Sequence, residues 1–116
     1  MPDVGFHRLA WEALQGADGG VRGACKAALA RLAQMQPGIA SGLRLEKVHT
    51  DLTELKVTKD RQEFRLLFFY LKRAPCVAHF FQKKTRKTPD HEINLALKRK
   101  REIELEHAAP ISVSVH

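Results

Sequence analysis

Between Leu52 and Gln82 this chain carries three strand-like runs with little between them. Leu52 to Thr58 alternates, with Leu55 and Val57 on one face and Glu54, Lys56 and Thr58 on the other. Lys59-Asp60-Arg61-Gln62 is a polar turn, and Glu63 to Leu71 is rich in aromatic residues. Ala74-Pro75 breaks that run, and Cys76 to Gln82 is the third strand. The order describes an antiparallel three-strand meander.

Helical patterns flank the meander. Asp18 can cap a helix running to about Gln36, with Val21, Cys25, Ala28, Leu29 and Leu32 at helical spacing and Pro37-Gly38 as its stop. Phe6 to Leu14 is also apolar at helical intervals, and the sequence leaves open whether a short strand precedes it. Residues 36–44 read as a loop. A last helix starts near Thr88, a suitable N-cap, with Pro89 at the first helical position, where its missing N–H costs nothing. Ile93, Ala96, Leu97 and Ile103 give that helix an apolar face. The expected fold class is α+β, with two N-terminal helices packed on a small antiparallel sheet and a C-terminal helix. Residues 1–107 are expected to form one domain and 108–116 a flexible tail. A chain of 116 residues buries enough surface to fold without a disulfide or a metal.

The charge is unevenly spread. The net charge is +7, yet residues 1–55 balance to zero. Residues 56–101 carry fourteen Lys and Arg against Asp60, Glu63, Asp90 and Glu92, a surplus of ten, and residues 102–116 return three glutamates. A single basic segment is the footprint of a nucleic-acid partner. Its densest part is Lys83-Lys84-Thr85-Arg86-Lys87-Thr88-Pro89, between a strand and a helix N-terminus, where side-chain cations and unpaired N–H groups can both face a phosphate. The same heptad also fits a nuclear localisation signal. Cys25 and Cys76 have no ligand-like spacing, so neither a disulfide framework nor a metal is expected. The longest apolar run, Leu66 to Leu71, is too short to cross a bilayer, so a cytoplasmic protein without membrane contact is expected.

Strand parity brings the cations together. In a meander Lys56, Arg65 and Lys83 or Lys84 come from three adjacent strands and can converge. Such a patch suits RNA cleavage by a 2′-hydroxyl, which needs a base, cations for the phosphorane and an acid for the leaving oxygen. A lysine crowded by other cations can serve as the base, which nominates Lys56. Arg65 and Lys83/Lys84 would stabilise the phosphate, and His91, at the start of the helix, would be the acid. Lys59, Arg61, Arg86 and Lys87 would bind RNA. Metal-assisted cleavage would need converging carboxylates, and Asp90 and Glu92, two apart on a helix, diverge. Other readings stand beside these. The cations can be a passive binding surface, Arg65 can pair with Glu54 across the sheet, and His79 can be a packed, hydrogen-bonded histidine. Phe68, Phe69 and Phe81 read as core, while Phe80 or Tyr70 can stack on a base.

Three segments resemble a known group. They are Leu52-Thr53-Glu54-Leu55-Lys56, Glu63-Phe64-Arg65-Leu66-Leu67-Phe68-Phe69, and His79-Phe80-Phe81-Gln82-Lys83-Lys84-Thr85-Arg86-Lys87-Thr88-Pro89 with Glu92-Ile93 and Ala96 beyond. Together they are similar to the phage-derived branch of the RelE/HigB/ParE toxin superfamily across about residues 47–103. Phe80, Thr53 and Phe64 stand where that pattern has a glycine, an aromatic residue and a tyrosine. The resemblance implies a RelE-like fold and the toxin of a type II toxin–antitoxin pair. It also implies metal-independent, cofactor-free cleavage of mRNA, often on the ribosome, and a helix-turn-helix antitoxin encoded nearby. The alternatives are a ParE-like DNA gyrase inhibitor and a non-catalytic RNA-binding module.

Overall fold

The computed structural model describes residues 3–34 and 42–115. The expected stop at Pro37-Gly38, most of the expected loop at 36–44, and His116 lie outside the described residues. In chain order the elements are β1 (Asp3–Phe6), α1 (Arg8–Gln15), α2 (Gly19–Gln34), β2 (Arg44–His49), β3 (Leu52–Lys59), β4 (Gln62–Leu71), β5 (Ala74–Lys83), α3 (Asp90–Glu104) and β6 (Ile111–Ser114).

The six strands form one sheet in the order β2-β3-β4-β5-β1-β6. The meander β3-β4-β5 is present, with Lys56 opposite Arg65 and Arg65 opposite Phe81. The expected fold class is nevertheless overturned. In place of a small antiparallel sheet there is a mixed one, because β1 lies parallel to β5 and carries β6 antiparallel on its far side. The segment 108–116, expected as a loose tail, supplies β6 and buries Val115. Gly5 makes the β1–β5 approach possible. It sits opposite Cys76, and a Cβ there would stand 3.2 Å from the Cys76 sulfur.

Alternation sends the two sides of the sheet into two cores. Leu55, Val57, Phe64, Leu66, Phe68, Val77 and Phe80 pack with Ala10 and Leu14 of α1 and Val21, Cys25, Leu29 and Leu32 of α2. Leu52, Leu67, Phe69, Cys76 and Ala78 pack with Ala96 and Ile103 of α3. The helices therefore sandwich the sheet, with α3 alone on its side. Asp18 starts α2 as expected, its Oδ2 accepting the Gly20 N–H at 3.0 Å. Thr88 does not cap α3. Pro89 holds the N-cap position without a side-chain bond, and the Thr88 hydroxyl donates to Glu54 instead. His7 caps α1 by accepting the Leu9 N–H on Nδ1 at 3.2 Å, which leaves Nε2–H to donate to Glu102 of α3 at 3.0 Å.

Both hairpin turns of the meander are two residues long and carry positive φ at non-glycine positions, 52° and 66° at Asp60 and Arg61 and 51° and 70° at Lys72 and Arg73. Replacing Lys72-Arg73 with Asn-Gly, the pair this turn geometry favours, is expected to add roughly 1 kcal/mol to the unfolding free energy. Urea titration measures it, and an unchanged midpoint would mean that the turn holds no strain.

Candidate nucleic-acid interface

The α3 side of the sheet is not apolar throughout. Toward the end where β5 leaves the sheet, its rows become ionic: Arg44, Lys56 and Arg65 lie side by side on β2, β3 and β4, and Glu46 lies beside Glu54. Glu54 is 1% exposed and Arg65 4%. Arg65 Nε donates to Glu54 Oε1 at 3.0 Å, and its Nη1 donates to Glu63 Oε1 and to the Phe64 carbonyl, each at 3.0 Å. The other Glu54 oxygen accepts from Thr88. Glu63 in turn accepts from Thr58, which also receives Arg44 Nη1 at 2.9 Å. The polar chain thus crosses β2, β3 and β4 and reaches the loop before α3.

Over this buried layer lies a cleft of about 230 Å³, walled by Glu46, Val48, Lys56, Lys83, Arg86, Lys87, Thr88 and Ile93 among others. Lys56 Nζ donates to Glu46 Oε1 at 2.6 Å. That hydrogen bond and the Lys56 charge hold the Glu46 carboxyl below the usual carboxylate range, and the charges of Lys83 and Arg65 act in the same direction. Glu46 is the one carboxylate among the residues lining the cleft.

Of the residues nominated from sequence, Lys56, Lys83, Arg86 and Lys87 meet in this cleft. Arg65 is adjacent but buried, with its hydrogen bonds committed to Glu54, Glu63 and Phe64. The geometry is that of the cross-sheet pair raised as the alternative for it. Lys84 is exposed and does not line the cleft. His91 projects into solvent with its side chain 78% exposed, 3.7 Å from Glu92. Lys59 lies beside Gly20 of α2, on the opposite side of the sheet, and Arg61 sits exposed in the β3–β4 turn. Sequence reasoning missed Glu46, because β2 gave no strand signal, and it assigned Thr88 to the helix rather than to Glu54.

His79 is a packed, hydrogen-bonded histidine. Arg99 Nη1 can only donate, so at 3.1 Å it makes His79 Nδ1 the acceptor, and Nε2–H donates to Glu92 at 2.8 Å. The ring stacks on Phe81 with centroids 5.2 Å apart. Burial pushes the His79 pKa below its ordinary value, and the hydrogen bond and charge of Glu92 only partly oppose this. Among the described residues no three His, Cys, Asp or Glu side chains cluster as metal ligands would, and no helix is long and apolar enough to cross a membrane.

The buried groups have measurable consequences. Arg65→Ala leaves the Glu54 carboxylate buried without its cation and is expected to cost about 3–5 kcal/mol in chemical denaturation. Adding Glu54→Leu to Arg65→Met should recover most of that loss, and an Arg65→Ala cost below about 1 kcal/mol would contradict the pairing. For His79, the folded pKa lies below the unfolded one, so between the two values the unfolded chain binds more protons and stability rises with pH. Stability should therefore fall as the pH drops below about 6.5, by at most about 1.4 kcal/mol per pH unit, and His79→Gln should flatten this slope.

The chain matches the family described as Phage derived protein Gp49-like (DUF891) over residues 12–101. No curated protein matches it. The family is phage-derived and associated with toxin–antitoxin systems. With most of its length matched, including β3, β4, β5 and the cationic loop, this chain belongs to the phage-derived Gp49-like family.

Proposed function

We propose that this chain is the toxin of a toxin–antitoxin pair and that it cuts mRNA at the cationic cleft without a metal. The observation that carries this reading is the convergence of Lys56, Lys83, Arg86 and Lys87 around a single carboxylate, Glu46. Lys83, Arg86 and Lys87 are donors only, suited to phosphate oxygens along a strand. Glu46 is the proton acceptor within reach of a phosphate held there. In the proposed step Glu46 takes the proton of a 2′-hydroxyl, and the oxygen attacks the adjacent phosphorus. Lys56 and Lys83 face the charge that builds on the phosphorane, and the departing 5′-oxygen takes a proton from an ammonium of the cleft. The products are a 2′,3′-cyclic phosphate and a 5′-hydroxyl. Lys56 thus acts as a charged donor rather than as the base, since its ammonium is bonded to Glu46 at 2.6 Å. Neutralisation by an antitoxin encoded nearby and action on ribosome-bound mRNA belong to the same proposal.

One observation favours a second reading. Arg65, the arginine expected to grip the phosphate, is spent inside the sheet, which suits a protein that binds RNA and leaves it intact.

End-labelled mRNA separates the two. Cutting should yield 2′,3′-cyclic or 3′-phosphate ends with 5′-hydroxyls, and Glu46→Gln should slow it by roughly 10²–10⁴ while leaving the RNA Kd within a few fold. Fragments with 5′-phosphates would refute the mechanism. Intact RNA bound with salt-dependent affinity would select the second reading. For three or more phosphate contacts, affinity should fall about ten-fold or more between roughly 50 and 200 mM salt. A flat response would refute both.

A further inference from the structure

Thr88 is the odd residue in the loop between β5 and α3. Residues 84–87 are exposed, while Thr88 is 6% exposed. The loop leaves the ladder after Lys83 and meets α3 only at Asp90. Within it Thr85 Oγ1 donates to the Lys87 carbonyl at 2.8 Å, a bond that shapes the turn but does not fix it to the sheet. The Thr88 hydroxyl does fix it, by donating to the buried Glu54 carboxylate on β3 rather than to the start of the helix. Glu54 is itself immobilised by Arg65.

From this arrangement we propose that Thr88 is a positioning residue: through Glu54 it holds the loop so that Arg86 and Lys87 face Lys56 and Lys83 across the cleft. This rests on the reading that the cleft binds RNA. The need for such a tie is electrostatic. Five cations, Lys47, Lys56, Lys83, Arg86 and Lys87, share the cleft walls with one carboxylate, Glu46, so in free protein their mutual repulsion drives Arg86 and Lys87 outward. A loop already held inward meets RNA without having to be ordered by it, and the cost of ordering is absent from the binding free energy. A buried carboxylate can supply the tie because leaving one of its oxygens without a donor is costly.

Thr88→Val keeps the side-chain shape and removes the donor, whereas Thr88→Ser keeps the donor. Thr88→Val should weaken single-stranded RNA binding roughly ten-fold. It should also flatten the log–log salt slope by about 1.4, the share of two phosphates that Arg86 and Lys87 would no longer neutralise. Thr88→Ser should restore both. A merely structural Thr88 would lower Tm and leave the affinity and salt slope of the folded protein unchanged, and that result overturns the proposal. Backbone ¹⁵N relaxation supplies an arm that needs neither RNA nor a variant. Order parameters at residues 86–88 of the unmutated chain should lie near about 0.85, and values below about 0.6 overturn the inference even if Thr88→Val does not fold. If the unmutated chain is ordered there but ignores RNA, the functional reading fails and the tie alone stands.

Discussion

A buried carboxylate with both oxygens engaged is the constraint on which the α3 side of this protein depends. Glu54 lies on β3, where the sheet would otherwise present another apolar residue to α3. Removing a carboxylate from water is costly, and the cost is offset only by close, well-directed donors. Here those donors come from two places: Arg65 on the neighbouring strand and Thr88 from the loop. The same ionic contact therefore fixes strand register and loop position. Arg65 also reaches Glu63, which connects through Thr58 to Arg44 at the sheet edge. A sheet that is apolar near α3 becomes a polar floor under a cationic cleft.

The two sides of the sheet divide the labour. Against α1 and α2 there is a continuous apolar core, whose role is stability. On the other side the smaller core under α3 ends near Ile93, and the cations begin there. Glu46 tempers the crowding of Lys56 and Lys83 and is held in its charged form by them. Charge, concavity and one acceptor meet at that point. The clefts toward Leu71 and Pro110 differ, being lined largely by apolar residues with scattered charges.

The meander was legible because β3, β4 and β5 combine alternation or aromatic density with short turns, signals that are local in sequence. The mixed sheet was not. β1 is four residues long, with a glycine inside it, and its partner β5 lies some seventy residues away. β2 reads Arg-Leu-Glu-Lys-Val-His, an exposed edge strand whose only half-buried residue is Val48, so no core pattern marks it. Ile111 and Val113 of β6 alternate, and Val115 just beyond continues the pattern, but the four strand residues need β1 beside them to become a strand. At the site, strand parity put Lys56 and Arg65 beside Lys83 or Lys84 without choosing between the two, and the basic run nominated Arg86 and Lys87 alongside Lys59 and Arg61, which do not line the cleft. Glu46 could not be placed there, since it depends on the unseen β2. Arg65 and Thr88 each had two physically sound roles, and the choice between them turned on Glu54, thirty-four residues from Thr88 in sequence.

A double-mutant cycle between Glu54 and Thr88, read as the Kd for single-stranded RNA, tests the account most directly. If the buried carboxylate acts on the cleft through the Thr88 hydroxyl, Glu54→Gln and Thr88→Val will not add. The double variant should bind about as well as the weaker single one, with a coupling of about 1 kcal/mol or more. Effects that add to within about 0.3 kcal/mol would show that the two residues act on the cleft independently, and would contradict the claim that Glu54 organises it.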